Sequence, residues 1–300
     1  MLSIQKNAKN VEALIKAADV ALYQAKLIGS DTYNLYKHEM RLDIHEKFHI
    51  ENDLRRALEK NEFSLLFQPQ YHIATNQYCG EEVLVRWDHP LEGLISPDRF
   101  ITIAEETGLI TSIGKWVLQQ ACLQKKIWIE KGLPEVPISV NLSLRQFLQQ
   151  SIVEMVAEVL EESELPPHLL KIEVTESVMI DLDRTSTVVK QLLALGVKIS
   201  LDDFGTGYSS LQYINQLPVH ELKIDQTFVA GIGKGKQAEE IISMIIQLAH
   251  SLSISVVAEG VETKEQLLYL TQNNCHKIQG YYYSKPLTGN DFELFMNGLQ

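Results

Sequence analysis

Basic residues are scarce relative to acidic ones: 27 Lys and Arg stand against 39 Asp and Glu, a formal charge of −12 over 300 residues. That sign excludes a protein that tracks along polynucleotide phosphates by counterion release. An anionic substrate has to be held locally, by a few basic side chains or by metal ions. Cysteine is scarcer still. Cys79, Cys122 and Cys275 form no C-x-x-C pair and are odd in number, so they are expected as reduced core thiols in a reducing compartment. No apolar run approaches the roughly 18 residues of a membrane span, and the opening MLSIQKNAKN has no apolar signal-peptide core. No membrane contact is expected from this segment, and a cytoplasmic location is expected, alone or as the cytosolic part of a larger sensor protein. What the chain does have is material for a core. With 45% hydrophobic and 22% charged residues it is enough for one large domain or two small ones, which excludes disorder and a stapled mini-protein.

Apolar residues at helical spacing run from Val11 to Lys26, Gly29 stops them, and Tyr33, Leu35 and Tyr36 suggest a strand. One helix and one strand cannot bury a core alone. The segment from His38 to Lys60 is rich in charge, lacks Gly and Pro, and reads as a connecting helix. From Glu62 the pattern changes. Extended runs near 63–73, 81–87, 136–142, 169–175, 197–203, 219–224, 254–259 and 277–283 alternate with amphipathic helical runs. The clearest helical run is 238–252, with Ala238, Ile241, Ile242, Ile245, Leu248, Ala249 and Leu252 in one stripe. Repeated β-then-α argues for a parallel sheet, doubly wound or closed into a barrel. No G-x-G-x-x-G turn opens the first unit and the runs number about eight, so the fold read here is an α/β, (β/α)8 TIM-like barrel.

Alternation inside the strands carries the most information. Ser139 and Asn141 share one face against Ile138 and Val140, and Lys171 and Glu173 oppose Leu170, Ile172 and Val174. Lys198, Ser200 and Asp202 share a face, as do Glu221 and Lys223. Parallel strands covered on both sides normally read as continuous apolar runs. An antiparallel sheet with one face in water explains a polar face too, but leaves the intervening helices without a place. In a barrel these residues point into the lumen, where an unpaired charge costs several kcal/mol. The acids fall near strand C-termini, the face where barrel active sites are built.

The candidate ligands at strand ends are Glu82, Asn141, Glu173, Glu176, Asp202, Asp203, Glu259 and Glu262, with Lys223 among them. Apart from the lysine they are oxygen donors, and no His-x-x-x-His or Cys cluster accompanies them. That disfavours zinc and favours Mg²⁺ or Mn²⁺. The adjacent Asp202 and Asp203 suit a pair of ions, one carboxylate bridging while its neighbour holds the second. Each acid alone reads more readily as a helix cap or solvated loop residue; their joint placement is what points to a site. Gly205 and Gly207 in DDFGTGYSSL permit close backbone approach or a mobile loop. Arg86, four residues after Glu82, has the chemistry to hold a phosphate oxygen bidentately, although alone it reads more readily as a surface ion-pair partner.

The segment GEEVLVRWDHPLEGLISPDRFITIAEETGLI resembles the opening of an EAL domain, the bacterial phosphodiesterase of cyclic di-GMP. SVNLS, EVTES, DDFGTGYSSL, LKID, AEGVET and QGYYYSKP follow in that family's order, so the resemblance covers about residues 50–298. The name-giving motif reads Glu82-Val83-Leu84, with valine where the family has alanine. ADVALYQAKLIGSDTYNLY resembles the last helix and strand of a GGDEF domain, whose signature is nowhere in the chain. The resemblance therefore implies a GGDEF remnant over 1–37 without cyclase activity, a linker over 38–50 and an EAL domain over 51–300, in a chain that begins partway through a tandem protein.

By resemblance the barrel has an antiparallel first strand. The implied activity is hydrolysis of cyclic di-GMP to linear pGpG by a water activated between two divalent cations. One cation falls to Glu82, Asn141, Glu173 and Asp202, and a second to Asp202, Asp203 and Glu259. Lys223 orients or polarises the attacking water, while Glu262 and Glu176 position Lys223 and the 202–211 loop. Substrate contacts fall to Gln68, Arg86 and the backbone near Gln279 and Tyr281. Ca²⁺ is expected to inhibit, because it takes looser, higher coordination than Mg²⁺. A homodimer is expected, with no polynucleotide partner. The alternatives are a catalytically silent cyclic di-GMP receptor and a hydrolase of another phosphodiester.

Overall fold

The computed structural model describes residues 49–205, 214 and 216–298, with positions 18, 22 and 33. The helix and strand expected over 11–36, the connecting helix as far as residue 48 and the Gly207–Leu211 stretch lie outside the described residues. The chain is helical from 49 to 57 and buries Ile50, Leu54 and Ala57 against the domain that follows.

The described strands are β1 (Phe63–His72), β2 (Gln77–His89), β3 (Gly93–Ile95), β4 (Ile138–Leu142), β5 (Leu170–Thr175), β6 (Lys198–Phe204), β7 (Glu221–Ile224), β8 (Ser255–Ala258) and β9 (Lys277–Gln279). The helices are α1 (Pro97–Thr107), α2 (Ile110–Glu130), α3 (Leu144–Phe147), α4 (Ile152–Ser163), α5 (Leu182–Ala194), α6 (Gln226–Val229), α7 (Lys236–Ser251), α8 (Lys264–Gln272) and α9 (Gly289–Asn297). Strands pair in the order β1-β9-β8-β7-β6-β5-β4-β2, and β1 closes the ring by pairing with β2. β1 is antiparallel to both its neighbours, while β2 and β4 to β9 run parallel. The expected barrel with a reversed first strand is what forms.

The reversal follows from local sequence. β1 and β2 are joined by a tight turn ending at Asn76, a residue type that tolerates the left-handed φ of 53° found there. A two-strand hairpin can return only antiparallel. Two of the described crossover helices start at reciprocal caps. Ser143 accepts from the N–H of Gln146 and Thr263 from that of Gln266, each in a reciprocal capping box that opens α3 and α8.

The apolar core lies between the strand ring and the helices. α2 turns Ile113, Val117, Leu118, Ala121, Cys122 and Trp128 inward, and α7 turns Ile242, Ile245, Ile246 and Ala249 inward. Trp128 stacks on Phe292 at 4.6 Å and meets Phe67 edge-on at 4.7 Å, closing the barrel wall at β1. Such ring pairs add about 1 kcal/mol each beyond burial, so Trp128→Ala would cost about 3–5 kcal/mol. The cysteines are free; Cys122 and Cys275 are buried as expected, whereas Cys79 is only partly so.

Two sequence readings of the strands change. The run expected over 277–283 ends as a strand at Gln279, because the chain turns at Gly280, where a Cβ would lie 2.2 Å from the carbonyl oxygen of Val261. The run expected over 81–87 is longer, Gln77–His89, and adds the short β3, which pairs with β2 outside the ring. Val83 is buried and shares the outer, helix-facing side of β2 with Trp87, so the two methyls it adds over alanine meet the core rather than the lumen.

Candidate active site

The lumen is built in two layers of charge. In the lower layer Lys171 pairs with Glu221 and donates to Gln70 Oε1 at 3.4 Å, and Lys277 reaches Glu221 at 2.7 Å. Burial works against the Glu221 carboxylate, but Lys171 and Lys277 hold it down to about 2. This layer is neutralised by the protein's own lysines.

The upper layer is not. Lys223, fully buried, lies 2.5 Å from Glu173, 2.6 Å from Glu259, 3.1 Å from Asp202 and 3.2 Å from Glu82. Four carboxylates converge on one ammonium, and Asp203 stands beside them. Burial disfavours the Lys223 charge, yet Asp202, Glu173, Glu259 and Glu82 together raise its pKa well above the ordinary range. Burial lifts Glu173 to about 7 against the pull of Lys223, and Glu82 and Asp202 push it the same way as burial. Burial also raises Glu259 and takes Asp203 to about 6, the latter reinforced by Asp202 and Asp225.

Strand register explains this convergence. Asn141 lies opposite Glu173 across β4 and β5, and Glu82 opposite Gln68 across β2 and β1. Glu82 is fixed from three sides: Asn141 Nδ2 donates to it at 2.6 Å, Gln279 Nε2 at 2.6 Å and Lys223 Nζ at 3.2 Å. Gln279 also donates to Gln68 Oε1 at 2.9 Å, and Gln68 to the Ser284 carbonyl at 3.1 Å.

Asp202 and Asp203 need a further device, because successive strand residues face opposite ways. The β6–β7 register shifts between Leu201 and Phe204, and Asp203 takes a left-handed φ of 54°. The bulge breaks the alternation, and oxygens of Asp202, Asp203 and Glu259 come within 4.8 Å of one another. Glu82, Glu173 and Asp202 form a second such trio. The donors are hard oxygens, and Glu173 Oε1 is buried with no hydrogen-bond partner. That is chemistry fitted to Mg²⁺ or Mn²⁺.

Among the described contacts no hydrogen bond or ion pair joins Glu176 or Glu262 to Lys223, the residue the resemblance has them position. Glu176 accepts from the N–H of Gly205 at 3.3 Å, which ties it to the start of the 202–211 loop. Glu262 is exposed and lines a cleft of about 470 Å³ with Gln226, Thr227 and Lys234. Arg86 shares the strand face of Glu82 and is half-buried, and burial lowers its pKa. Tyr281 is 54% exposed, with Lys285 Nζ 5.5 Å from its ring centroid. The side chain of Gln279, which ties Glu82 to Gln68, was missed by sequence reasoning, which pointed to the backbone there. Its signal is the strand alternation that places Gln279 on the same lumen face as Lys277.

No helix among the described residues is long and apolar enough to cross a membrane. A model of the EAL domain family matches residues 51–286. MucR of Pseudomonas aeruginosa, a bifunctional diguanylate cyclase and cyclic di-GMP phosphodiesterase, is 42% identical over 271 residues, covering 90% of this chain and 40% of MucR. The solved PaMucR phosphodiesterase in complex with c-di-GMP matches at a TM-score of 0.79 and 42% identity, covering 81% of this chain and 99% of that one. The EAL enzyme Bd1971, in a form with cAMP and cyclic-di-GMP bound, matches at a TM-score of 0.82 and 32% identity, covering 97% and 77%. The chain spans 34–40% of the length of the curated relatives it matches at 40% to 42% identity. With identity of this order running over the whole of a solved relative, and the reversed first strand in place, the chain belongs to the EAL domain family.

Proposed function

We propose that this chain hydrolyses one 3′-5′ phosphodiester of cyclic di-GMP to linear pGpG, using two divalent cations, Mg²⁺ or Mn²⁺, held in the upper lumen layer. The observation that carries this reading is the excess of four converging carboxylates over one ammonium, in a barrel whose curated relatives include cyclic di-GMP phosphodiesterases.

Glu82, Asn141, Glu173 and Asp202 are assigned to one cation, and Asp202, Asp203 and Glu259 to the second. When bound, such a pair lowers the pKa of water and offsets the charge that builds at phosphorus. The protein's own part is positioning. Asn141 and Gln279 hold Glu82 in one orientation, and the bulge at Asp203 aims two carboxylates at one space. Lys223 stands as counter-ion to the acids, and its N–H groups would orient or polarise the attacking water. Glu176, through the N–H of Gly205, and Glu262, on the β8–α8 connection, are assigned to positioning Lys223 and the 202–211 segment. Arg86, Gln68 and the Gln279–Tyr281 turn line the mouth for phosphate and guanine. We further assign 51–300 to the EAL domain, 38–50 to a linker and 1–37 to the end of a GGDEF-like domain, and we take the working unit to be a homodimer.

The test is Glu82→Ala and Asp202→Ala with Mg²⁺ or Mn²⁺ and cyclic di-GMP. Both variants are expected to produce no pGpG. Full turnover by either would contradict the assignment, and wild-type binding without turnover would turn the reading to a receptor.

A further inference from the structure

β2 carries two adjacent glutamates that differ only in which way they face. Glu82 enters the lumen, while Glu81 points outward toward α2 and is completely buried. There Lys125, only 1% exposed, meets Glu81 Oε1 at 2.9 Å, and Tyr78 donates its hydroxyl hydrogen to the other carboxylate oxygen. Lys125 also donates to the Pro134 carbonyl at 3.3 Å. Tyr78 packs against Phe292, and Trp128 stacks on that same ring, so the pair is enclosed by aromatic side chains.

A buried ion pair between a strand and a helix is a poor source of stability, since well-packed apolar residues do as well or better. Its best-attested use is to specify register. A strand displaced by one residue swaps its two faces, and apolar patterning normally forbids that. Val83 and Trp87 outside and Arg86 inside set the faces further along β2, but at 81–82, next to the register shift opposite Gln70 and Tyr71, either glutamate offers the lumen the same carboxylate. What distinguishes them is the partner waiting on each side: Lys223, Asn141 and Gln279 inside, Lys125 and Tyr78 outside.

We propose that Lys125 is a positioning residue: by pairing with Glu81 on the outer wall it keeps that carboxylate out of the lumen, so that Glu82 alone is presented to the metal site. This rests on the metal reading above. Lys125 touches no substrate and acts through the direction of β2.

The proposal makes two equally disruptive substitutions behave differently. Lys125→Met strands Glu81 as a buried carboxylate that competes for the lumen, whereas Glu81→Met strands Lys125 but leaves one glutamate in the pair. The full chain is titrated with Mn²⁺ and free metal is read by electron paramagnetic resonance. The titration is run well below the melting temperature of each variant, with circular dichroism confirming the fold. Lys125→Met is expected to weaken Mn²⁺ binding by about ten-fold or more, the size of effect seen when a metal ligand loses its supporting contacts. Glu81→Met and the double variant E81M/K125M are expected to stay near the wild-type value. Wild-type affinity in folded Lys125→Met, or equal losses in Lys125→Met and Glu81→Met, would overturn the proposal. Lys125→Gln replaces Lys125→Met if the latter does not fold. Absence of Mn²⁺ binding by the wild type would instead remove the metal reading. Register is then judged by hydrogen exchange across residues 80–85, expected to be faster in Lys125→Met than in Glu81→Met, and equal exchange overturns it.

Discussion

Asp203 follows Asp202 directly in the chain, yet both offer carboxylate oxygens to the same space beside Glu259, because the β6 bulge and a left-handed φ of 54° at Asp203 cancel the usual strand alternation. A non-glycine residue in that region is uncommon, and Asp and Asn are the types that tolerate it best.

Asp203→Asn therefore separates geometry from charge. The turn should survive with little change in melting temperature, while kcat for cyclic di-GMP falls by on the order of 100-fold, as when a charge-stabilising group is lost from a site. An Asn variant with wild-type kcat would show that the bulge, not the second carboxylate, is what matters.

Among the described residues Lys223 is the ammonium on which the four carboxylates of the upper layer converge. Lys223→Met leaves Glu82, Glu173, Asp202 and Glu259 facing one another, and losing one partner of a buried pair costs about 3–5 kcal/mol. Differential scanning calorimetry is expected to show a large fall in melting temperature without metal and partial recovery with millimolar Mg²⁺. A fall that Mg²⁺ leaves untouched would mean the acids do not bind cations.

The two lumen layers titrate in opposite senses. Glu173 is raised to about 7 from an ordinary 4.5, so between those values the folded chain holds its proton more tightly than the unfolded one, and stability falls as pH rises. The difference is on the order of 3 kcal/mol. Glu221 is lowered to about 2, so its contribution is present above about 4.5 and is lost as pH falls toward 2. Metal-free protein should be most stable near pH ~5, and Mg²⁺ should raise the melting temperature more at pH ~8 than there. A melting temperature that climbs steadily from pH ~5 to ~8 without metal would contradict this assignment.

Ca²⁺ tests the geometry of the acids rather than their charge. It accepts the same oxygens but prefers longer bonds and more of them. Titrated against a fixed Mg²⁺ concentration, it is expected to bind competitively and suppress pGpG formation. Ca²⁺ alone supporting turnover would count against a site in which the two acidic trios sharing Asp202 hold small, six-coordinate cations.

The lumen face was legible in the sequence because Ser139 and Asn141, Lys171 and Glu173, Ser200 and Asp202, and Glu221 and Lys223 alternate with apolar residues at period two. What alternation could not reveal was how those charges are balanced. Lys171 and Lys277 neutralise Glu221, whereas in the upper layer Glu82, Glu173, Asp202 and Glu259 share Lys223. Glu81 and Lys125 stand 44 positions apart, and nothing local marks either as buried; each reads as a solvated charge until the helix is laid on the strand. Asp203 entered the candidate site because it adjoins Asp202 at the end of a strand, a pair suited to two ions. Strand periodicity alone turns it outward, and the bulge that reverses it has no signature in the residue types around it.

The most direct measurement is incubation of the purified chain with cyclic di-GMP, with Mg²⁺, with Mn²⁺ and with chelator, followed by chromatographic separation of the nucleotides. Linear pGpG that appears with either metal and disappears with chelator is the expected result. Intact cyclic di-GMP in the presence of bound metal would contradict the central claim, that the carboxylates gathered around Lys223 form a hydrolytic metal centre.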